Sequence, residues 1–376
     1  MNIQSNFCHT LLAACSIVCV AVPAWAQQPP LKVGVIAAVT GPAALTFAAA
    51  RSGALLAQKQ INAAGGVGGR QVQLLIRDDA TNPDSALTHA NELVRTEKVD
   101  VIVALTTTAS SIAIGGVTTA AVTPQISLSG IGPTIERERK CVVHLGFSQD
   151  VTTKAFLAYA RSMNMKKMGV LYDSGWGTLI YAELKRLAPS YGVELVGAEK
   201  FEQAATEATV QAAKLKAAAP DILVAVSNTA MPYRELRRLQ MTQTILGAGT
   251  VASYEAVNAM GAAADNIVLV EYIVSESPAP RQKPFVEIHQ KEYGTLPKGA
   301  AMMGWDAIQI AAELGKRAGP GANGAKMCAT VRDRFPGVSY DYNFAAEDLN
   351  GIKPSQVVFS KLVAGKFTPL EVKIAD

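Results

Sequence analysis

Leu31-Lys32-Val33-Gly34-Val35-Ile36-Ala37-Ala38-Val39-Thr40-Gly41-Pro42 begins as a nearly unbroken apolar run and stops on a Gly-Pro pair. Such a run, without polar alternation, suits a buried strand of a parallel sheet. The period then changes. Residues 48–63 read as a helix ending at Gly65-Gly66, and residues 72–77 return to a strand. Strand, helix and strand in succession form the unit of a parallel sheet covered by helices.

Working outward, the alternation continues. A helix is predicted at 83–96, a strand at 101–104, a helix at 110–121 and a strand at 125–128. A second series places strands at 167–172, 194–200, 221–226, 244–246 and 266–271, with helices at 178–191, 209–218 and 233–240. After Ser275-Glu276-Ser277-Pro278-Ala279-Pro280 the pattern is helical at 284–293, 299–318 and 324–334, and strands close the chain at 357–362 and 367–373. Helices that return after two complete series predict two lobes. The expected division is residues 27–147 with 278–345 against residues 148–277 with 346–376.

Upstream of Leu31, residues 1–26 contain no Lys, Arg, Asp or Glu, and residues 11–22 are almost wholly apolar. Ala24-Trp25-Ala26 supplies the small-x-small pattern of a cleavage site, so residues 1–26 read as a signal peptide that sends the chain to the periplasm. The apolar run is shorter than the roughly 20 residues that a bilayer span requires. Leu12-Ala13-Ala14-Cys15 looks like a lipoprotein box, but too few apolar residues precede it, and a lipid anchor is not expected. Cys8, Cys15 and Cys19 leave with the signal. Cys141 and Cys328 remain where a disulfide is permitted, and two separate buried thiols are the expectation.

The net charge of +4 comes from 35 basic and 31 acidic residues without a Lys/Arg tract, which argues against nucleic acid as a partner. No CxxC, HExxH or His/Cys cluster occurs, so neither metal nor cofactor is expected. Gly65-Gly66-Val67-Gly68-Gly69 follows a helix rather than a strand and lacks dinucleotide spacing; it reads as a helix stop. A secreted hydrolase is the enzyme alternative. It would need a nucleophile, a base and an orienting group, yet His89, His144 and His289 lie beside no GxSxG motif.

Ligands of open α/β sheets bind beyond the carboxyl ends of the strands. Those positions hold Thr40-Gly41-Pro42 with Phe47 nearby, then the hydroxyl-rich turn Thr106-Thr107-Thr108-Ala109-Ser110-Ser111 at a helix start. Free amides and hydroxyls there suit a carboxylate or simple N-capping of the helix, and a carboxylate site is expected because the turn holds more hydroxyls than one cap needs. Ser127-Leu128-Ser129-Gly130-Ile131 ends the next strand, and Gly130 lets a backbone amide approach a ligand. In the second series the strand ends carry Asp173-Ser174-Gly175-Trp176-Gly177, Ser227-Asn228-Thr229-Ala230-Met231 and Gly247-Ala248-Gly249-Thr250, with Tyr254 and Tyr272 close by. Trp176 reads either as a wall for a planar or apolar ligand or as a structural plug.

In this order, the motifs resemble the periplasmic ligand-binding receptors of the branched-chain amino acid transport type. VGVIAAVTGP (33–42) is similar to the family's opening strand and first ligand loop, and INAAGGVGGRQVQLLIRDDATNPDSA (61–86) is the most specific stretch. VIVALTTTASS (101–111) and PQISLSGIGP (124–133) resemble the first-lobe binding turns, and VLYDSGWG (170–177) the first turn of the second lobe. The resemblance implies a type I periplasmic binding protein, α/β, with two Rossmann-like lobes of parallel sheets joined by three crossover segments. These are expected near 147–149, 273–278 and 345–351. It also implies a monomer that closes its cleft on a ligand and presents it to an ATP-driven permease of the inner membrane.

Departures from the family pattern bear on the ligand. By motif position, Thr107 and the amide near Gly130 would hold an α-carboxylate, but Ile131 stands where the family has a second hydroxyl. The family binds the ammonium with an acid in the turn that here reads Leu246-Gly247-Ala248-Gly249-Thr250. An expected aromatic is replaced by Asn228 or Thr229. Burying an ammonium without a counter-charge costs several kcal/mol. The expected ligand is therefore a carboxylate without an α-ammonium, an aromatic acid of the benzoate, phenylacid or cinnamate kind, in a pocket walled by Phe47, Trp176 and Met231. The alternative is an aliphatic amino acid or amide bound by the same fold.

Overall fold

The computed structural model describes residues 28–346 and 350–374. The export signal and lipid-anchor readings lie outside the described residues, and no helix among them is long and apolar enough to cross a membrane.

The first half of the chain alternates β1 (Leu31–Ala37), α1 (Ala44–Ala63), β2 (Val72–Asp78), α2 (Pro83–Asn91), β3 (Val101–Leu105), α3 (Thr108–Ala120), β4 (Gln125–Ser127), α4 (Pro133–Glu138) and β5 (Val142–His144). These five strands form one parallel sheet in the order β2-β1-β3-β4-β5. Every residue of β3 is buried, as the apolar run of an inner parallel strand requires.

The chain continues through α5 (Gln149–Ser162), β6 (Lys167–Asp173), α6 (Trp176–Leu187), β7 (Glu194–Phe201), α7 (Thr209–Ala217), β8 (Ile222–Val226), α8 (Met231–Arg238), β9 (Ile245–Ala248), α9 (Tyr254–Met260) and β10 (Ile267–Glu271). Then come α10 (Lys283–Tyr293), α11 (Gly299–Ala318), α12 (Gly324–Cys328), the hairpin β11 (Arg334–Pro336) and β12 (Asp341–Asn343), and finally β13 (Val358–Val363) and β14 (Lys366–Leu370). The second sheet has the order β14-β13-β10-β9-β8-β6-β7. Its edge is antiparallel, since β13 runs against both β10 and β14.

α11 packs back along α1 and so joins late sequence to the first sheet. The backbones nearly touch: a Cβ at Gly53 would sit 1.7 Å from the Ala301 carbonyl oxygen, and one at Gly304 would sit 2.0 Å from that of Ala50. Only glycine permits that approach. The contact fixes the start of α1, where Thr46 and Phe47 sit, against the start of α11.

The structure corrects several expectations. Cys141 and Cys328 form a disulfide. The helix expected at 324–334 stops at Cys328. Beyond it the Arg332 guanidinium donates to the Glu136, Lys140 and Val142 carbonyls. α5 is an additional helix, capped by the Ser148 hydroxyl accepting from the Val151 amide. β5, three residues long, is too short to announce itself by periodicity.

Candidate functional site

A cavity of about 50 Å³ lies where the carboxyl ends of the two sheets face each other. One buried water needs about 10–15 Å³ by the same measure, so the space suits a small molecule. The start of α1 supplies Thr46 and Phe47 to one wall, the start of α3 supplies Thr108, and the loop after β4 supplies Leu128, Ser129 and Gly130. The opposite wall is Trp176 at the start of α6, Asn228 after β8, Ala248-Gly249-Thr250 at and after β9, and Tyr272 after β10. Thr152 of α5, Gly146 and Phe147 after β5, and Ala300 and Met303 of α11 complete it.

Local chemistry explains the shape. Thr107 N-caps α3 by accepting from the Ser110 amide, and the Thr108 hydroxyl beside it donates to the Gly130 carbonyl at 3.2 Å. The Ser129 hydroxyl donates to the Thr106 carbonyl at 2.8 Å. The two first-lobe turns are thus hydrogen-bonded together. On the other side Phe147 and Tyr272 stack with centroids 4.0 Å apart, and the Phe147 amide donates to the Tyr272 hydroxyl at 3.1 Å. Burial pushes the Tyr272 phenol up to about 12, so it stays protonated. Gly249 is required beside it, because a Cβ there would meet the Tyr272 ring at 2.8 Å.

The two walls also touch. The Thr46 hydroxyl reaches the carbonyls of Asn228 and Thr250, and the Ser253 hydroxyl donates to the Leu45 carbonyl at 2.9 Å.

Among the described lining residues none is Asp, Glu, Lys or Arg. Two acids stand near lining residues along the chain, Asp173 three positions before Trp176 and Glu271 immediately before Tyr272. Asp173 is buried, and its Oδ1 accepts from the Gly175 and Gly177 amides; burial raises its carboxyl above the ordinary value, with those amides opposing. Glu271 precedes Tyr272 and sits 3.3 Å from Lys298.

Seven of the sequence candidates meet at this cavity: Phe47, Thr108, Ser129, Gly130, Trp176, Asn228 and Gly249. The other seven are placed elsewhere. Thr106 donates to Asp79 at 2.6 Å, Thr107 is occupied as a cap, and Ser127 accepts from Gln125 within the sheet. Ile131 is buried, with its amide on Glu136. The Thr229 amide is tied back to the Ser227 hydroxyl. Met231 packs in the core beneath the second sheet, and the Tyr254 hydroxyl reaches Glu276. Thr106, Ser127 and Tyr254 are taken up by neighbouring polar side chains, Thr107 and Thr229 by nearby backbone or hydroxyl groups, and Ile131 and Met231 by burial. Thr152, Ala300 and Met303 lie inside helices, away from the strand-end turns, and Thr46 stands beside Phe47 at the start of α1 with no sequence signal of its own. Among the described residues there is no cluster of His, Cys, Asp or Glu suited to a metal.

A sequence model described as a periplasmic binding protein matches residues 30–358. The Leu/Ile/Val-binding protein homolog 7 of Brucella abortus is 24% identical over 364 residues, covering 90% of this chain and 91% of that protein. A leucine-, isoleucine-, valine-, threonine- and alanine-binding protein of Pseudomonas aeruginosa is 45% identical over 64 residues, 17% of each chain. Among solved structures, a leucine binding protein of Thermotoga maritima superposes with a TM-score of 0.83 at 21% identity, covering 92% of this chain and 99% of its own. The branched-chain amino acid transporter substrate binding protein LivJ of Streptococcus pneumoniae, in complex with isoleucine, gives 0.83 at 23% identity and covers 92% and 100%. These two likenesses are likenesses of fold.

Proposed function

The chain belongs to the periplasmic binding protein family, and from that premise we propose that its cleft captures a small carboxylate with an apolar, aromatic body and no α-ammonium. The observation that carries this reading is the uncharged wall. The Asn228 side-chain amide can donate to a carboxylate, and no described lining side chain offers a negative charge to an ammonium; the Thr46, Thr108, Ser129 and Thr250 hydroxyls give their protons to backbone carbonyls and would serve a carboxylate only by turning from them. Leaving a buried cation unpaired costs several kcal/mol, more than the apolar contacts of a small side chain return. Phe47, Trp176 and Tyr272 provide faces for a planar ring.

Ligand contacts from both walls would favour the closed arrangement over the open one, and a permease would receive the closed form. A monomer delivered to the periplasm is sufficient for this work.

A second reading is a branched-chain amino acid. The names of the Brucella and Pseudomonas relatives and the small cavity favour it. A thermal-shift screen of benzoate, phenylacetate, cinnamate, L-leucine, L-isoleucine and L-valine separates the two. Stabilisation by the aromatic acids supports the first reading; stabilisation by the amino acids alone establishes the second.

A further inference from the structure

Behind the cavity, three polar side chains are buried in a row. Glu136 is 1% exposed, His144 4% and Asn350 0%, and none of them lines the cavity. Their hydrogen bonds leave one consistent assignment. The Asn350 amide nitrogen lies 2.7 Å from the Gly146 carbonyl and 3.0 Å from His144 Nε2, while its Oδ1 accepts from the Ile352 amide at 3.1 Å. Because that oxygen is engaged as an acceptor, the NH2 group must face His144, and Nε2 must accept. The ring proton is then on Nδ1, which donates to Glu136 Oε2 at 2.6 Å. The other carboxylate oxygen, Oε1, accepts from the Ile131 amide at 2.8 Å. Burial opposes the ionised form of Glu136, but His144, the Ile131 amide and Arg332 together hold its carboxyl below the ordinary range.

The row ends at a ligand-facing loop. Ser129 and Gly130, which line the cavity, immediately precede Ile131. Gly130 lies against the His144 ring, 3.4 Å from where its Cβ would stand, and its carbonyl accepts from Thr108 across the cavity wall. At the other end, Asn350 belongs to the segment between β12 and β13, which leads from the hairpin to the edge of the second sheet. Its carbonyl accepts from the Asn343 amide at 2.9 Å.

We propose that Asn350, His144 and Glu136 are positioning residues for ligand binding, a hydrogen-bonded chain by which the segment entering β13 holds the Ser129–Ile131 backbone in its ligand-ready shape. The inference rests on the reading that the cavity is a ligand site. It assigns a task to three buried polar groups that touch no ligand, and it makes affinity depend on a residue more than 200 positions away in sequence from the loop it steadies.

The test uses the full mature chain and the variants His144→Leu, His144→Gln, Glu136→Gln and Asn350→Ala. Three quantities are read: the exchange rate of the Ile131 amide without ligand, the Kd for benzoate and for L-leucine, and the unfolding midpoint. A glutamine at 144 can still donate toward Glu136 and accept from Asn350, whereas leucine can do neither. His144→Leu, Glu136→Gln and Asn350→Ala should each speed Ile131 exchange at least tenfold and weaken the bound ligand at least tenfold. His144→Gln should recover most of both. Unchanged Ile131 exchange in the folded Leu and Ala variants overturns the proposal, as does a glutamine variant no better than leucine at equal unfolding midpoint. Should His144→Leu fail to fold, Asn350→Ala decides alone. Wild-type protein that binds neither probe counts against the ligand-site reading, and the exchange measurement still decides the positioning role.

Discussion

Thr46 on the first lobe donates its hydroxyl to the Asn228 carbonyl on the second at 3.2 Å, and the same oxygen also reaches the Thr250 carbonyl. One side chain thus bridges the cleft while lining it. Such a contact exists only when the lobes are together, so it adds to the closed state and nothing to the open one. Replacing Thr46 by Val keeps the shape and removes the donor. A net hydrogen bond is worth about 1 kcal/mol, and stranded carbonyls add to the loss. Binding is expected to weaken roughly tenfold with little change in the unfolding midpoint of the free protein, measured by calorimetry and thermal denaturation.

Asn228→Asp tests the electrostatic argument without changing volume. A carboxylate at this wall would repel a bound carboxylate and offer a partner to an ammonium. Affinity for an aromatic acid should fall at least tenfold, about 1.4 kcal/mol, while affinity for L-leucine should rise. Parallel titrations of wild type and variant read both changes.

Gly304→Ala addresses the frame rather than the pocket. The added methyl would lie 2.0 Å from the Ala50 carbonyl oxygen, so α1 and α11 must separate. Overpacking of this kind costs about 1–3 kcal/mol. Because the moved end of α1 carries Thr46 and Phe47, ligand affinity should fall together with stability in urea unfolding.

Much of the fold was legible in the sequence, for a physical reason. Buried parallel strands such as Val101–Leu105 admit only apolar residues and stand out as runs. The helix after β2 announces itself through Asn82, whose side chain accepts from the amides of Asp84 and Ser85, followed by Pro83 at the first helical position. The site was half legible. Strand-end loops located Ser129, Trp176 and Asn228, because topology alone puts loops there. The sequence does not say which way a given hydroxyl turns. Thr106 and Thr108 are two residues apart, yet one is satisfied by Asp79 and the other faces the cavity. The disulfide was hidden as well, since pairing Cys141 with Cys328 across 187 residues depends on where α12 lands.

Glu271 gives the fold a pH dependence. It is fully buried beside Lys298, and burial pushes its carboxyl up to about 7, against the pull of that lysine. The folded protein therefore holds a proton more tightly than the unfolded chain does. The stability this group contributes is complete below the unfolded carboxylate value and is lost as pH rises through about 7, a change on the order of 3 kcal/mol. The unfolding midpoint should fall between pH 5 and pH 8 in wild type. In Glu271→Gln the same interval should be flatter.

The uncharged cavity wall is the claim on which the ligand proposal stands, and isothermal titration of the wild-type protein with benzoate and with L-leucine addresses it directly. Saturable binding of benzoate, tighter than any heat produced by L-leucine, is the expected result. Tight L-leucine binding with no heat from benzoate, phenylacetate or cinnamate would contradict it and leave a carrier of aliphatic amino acids.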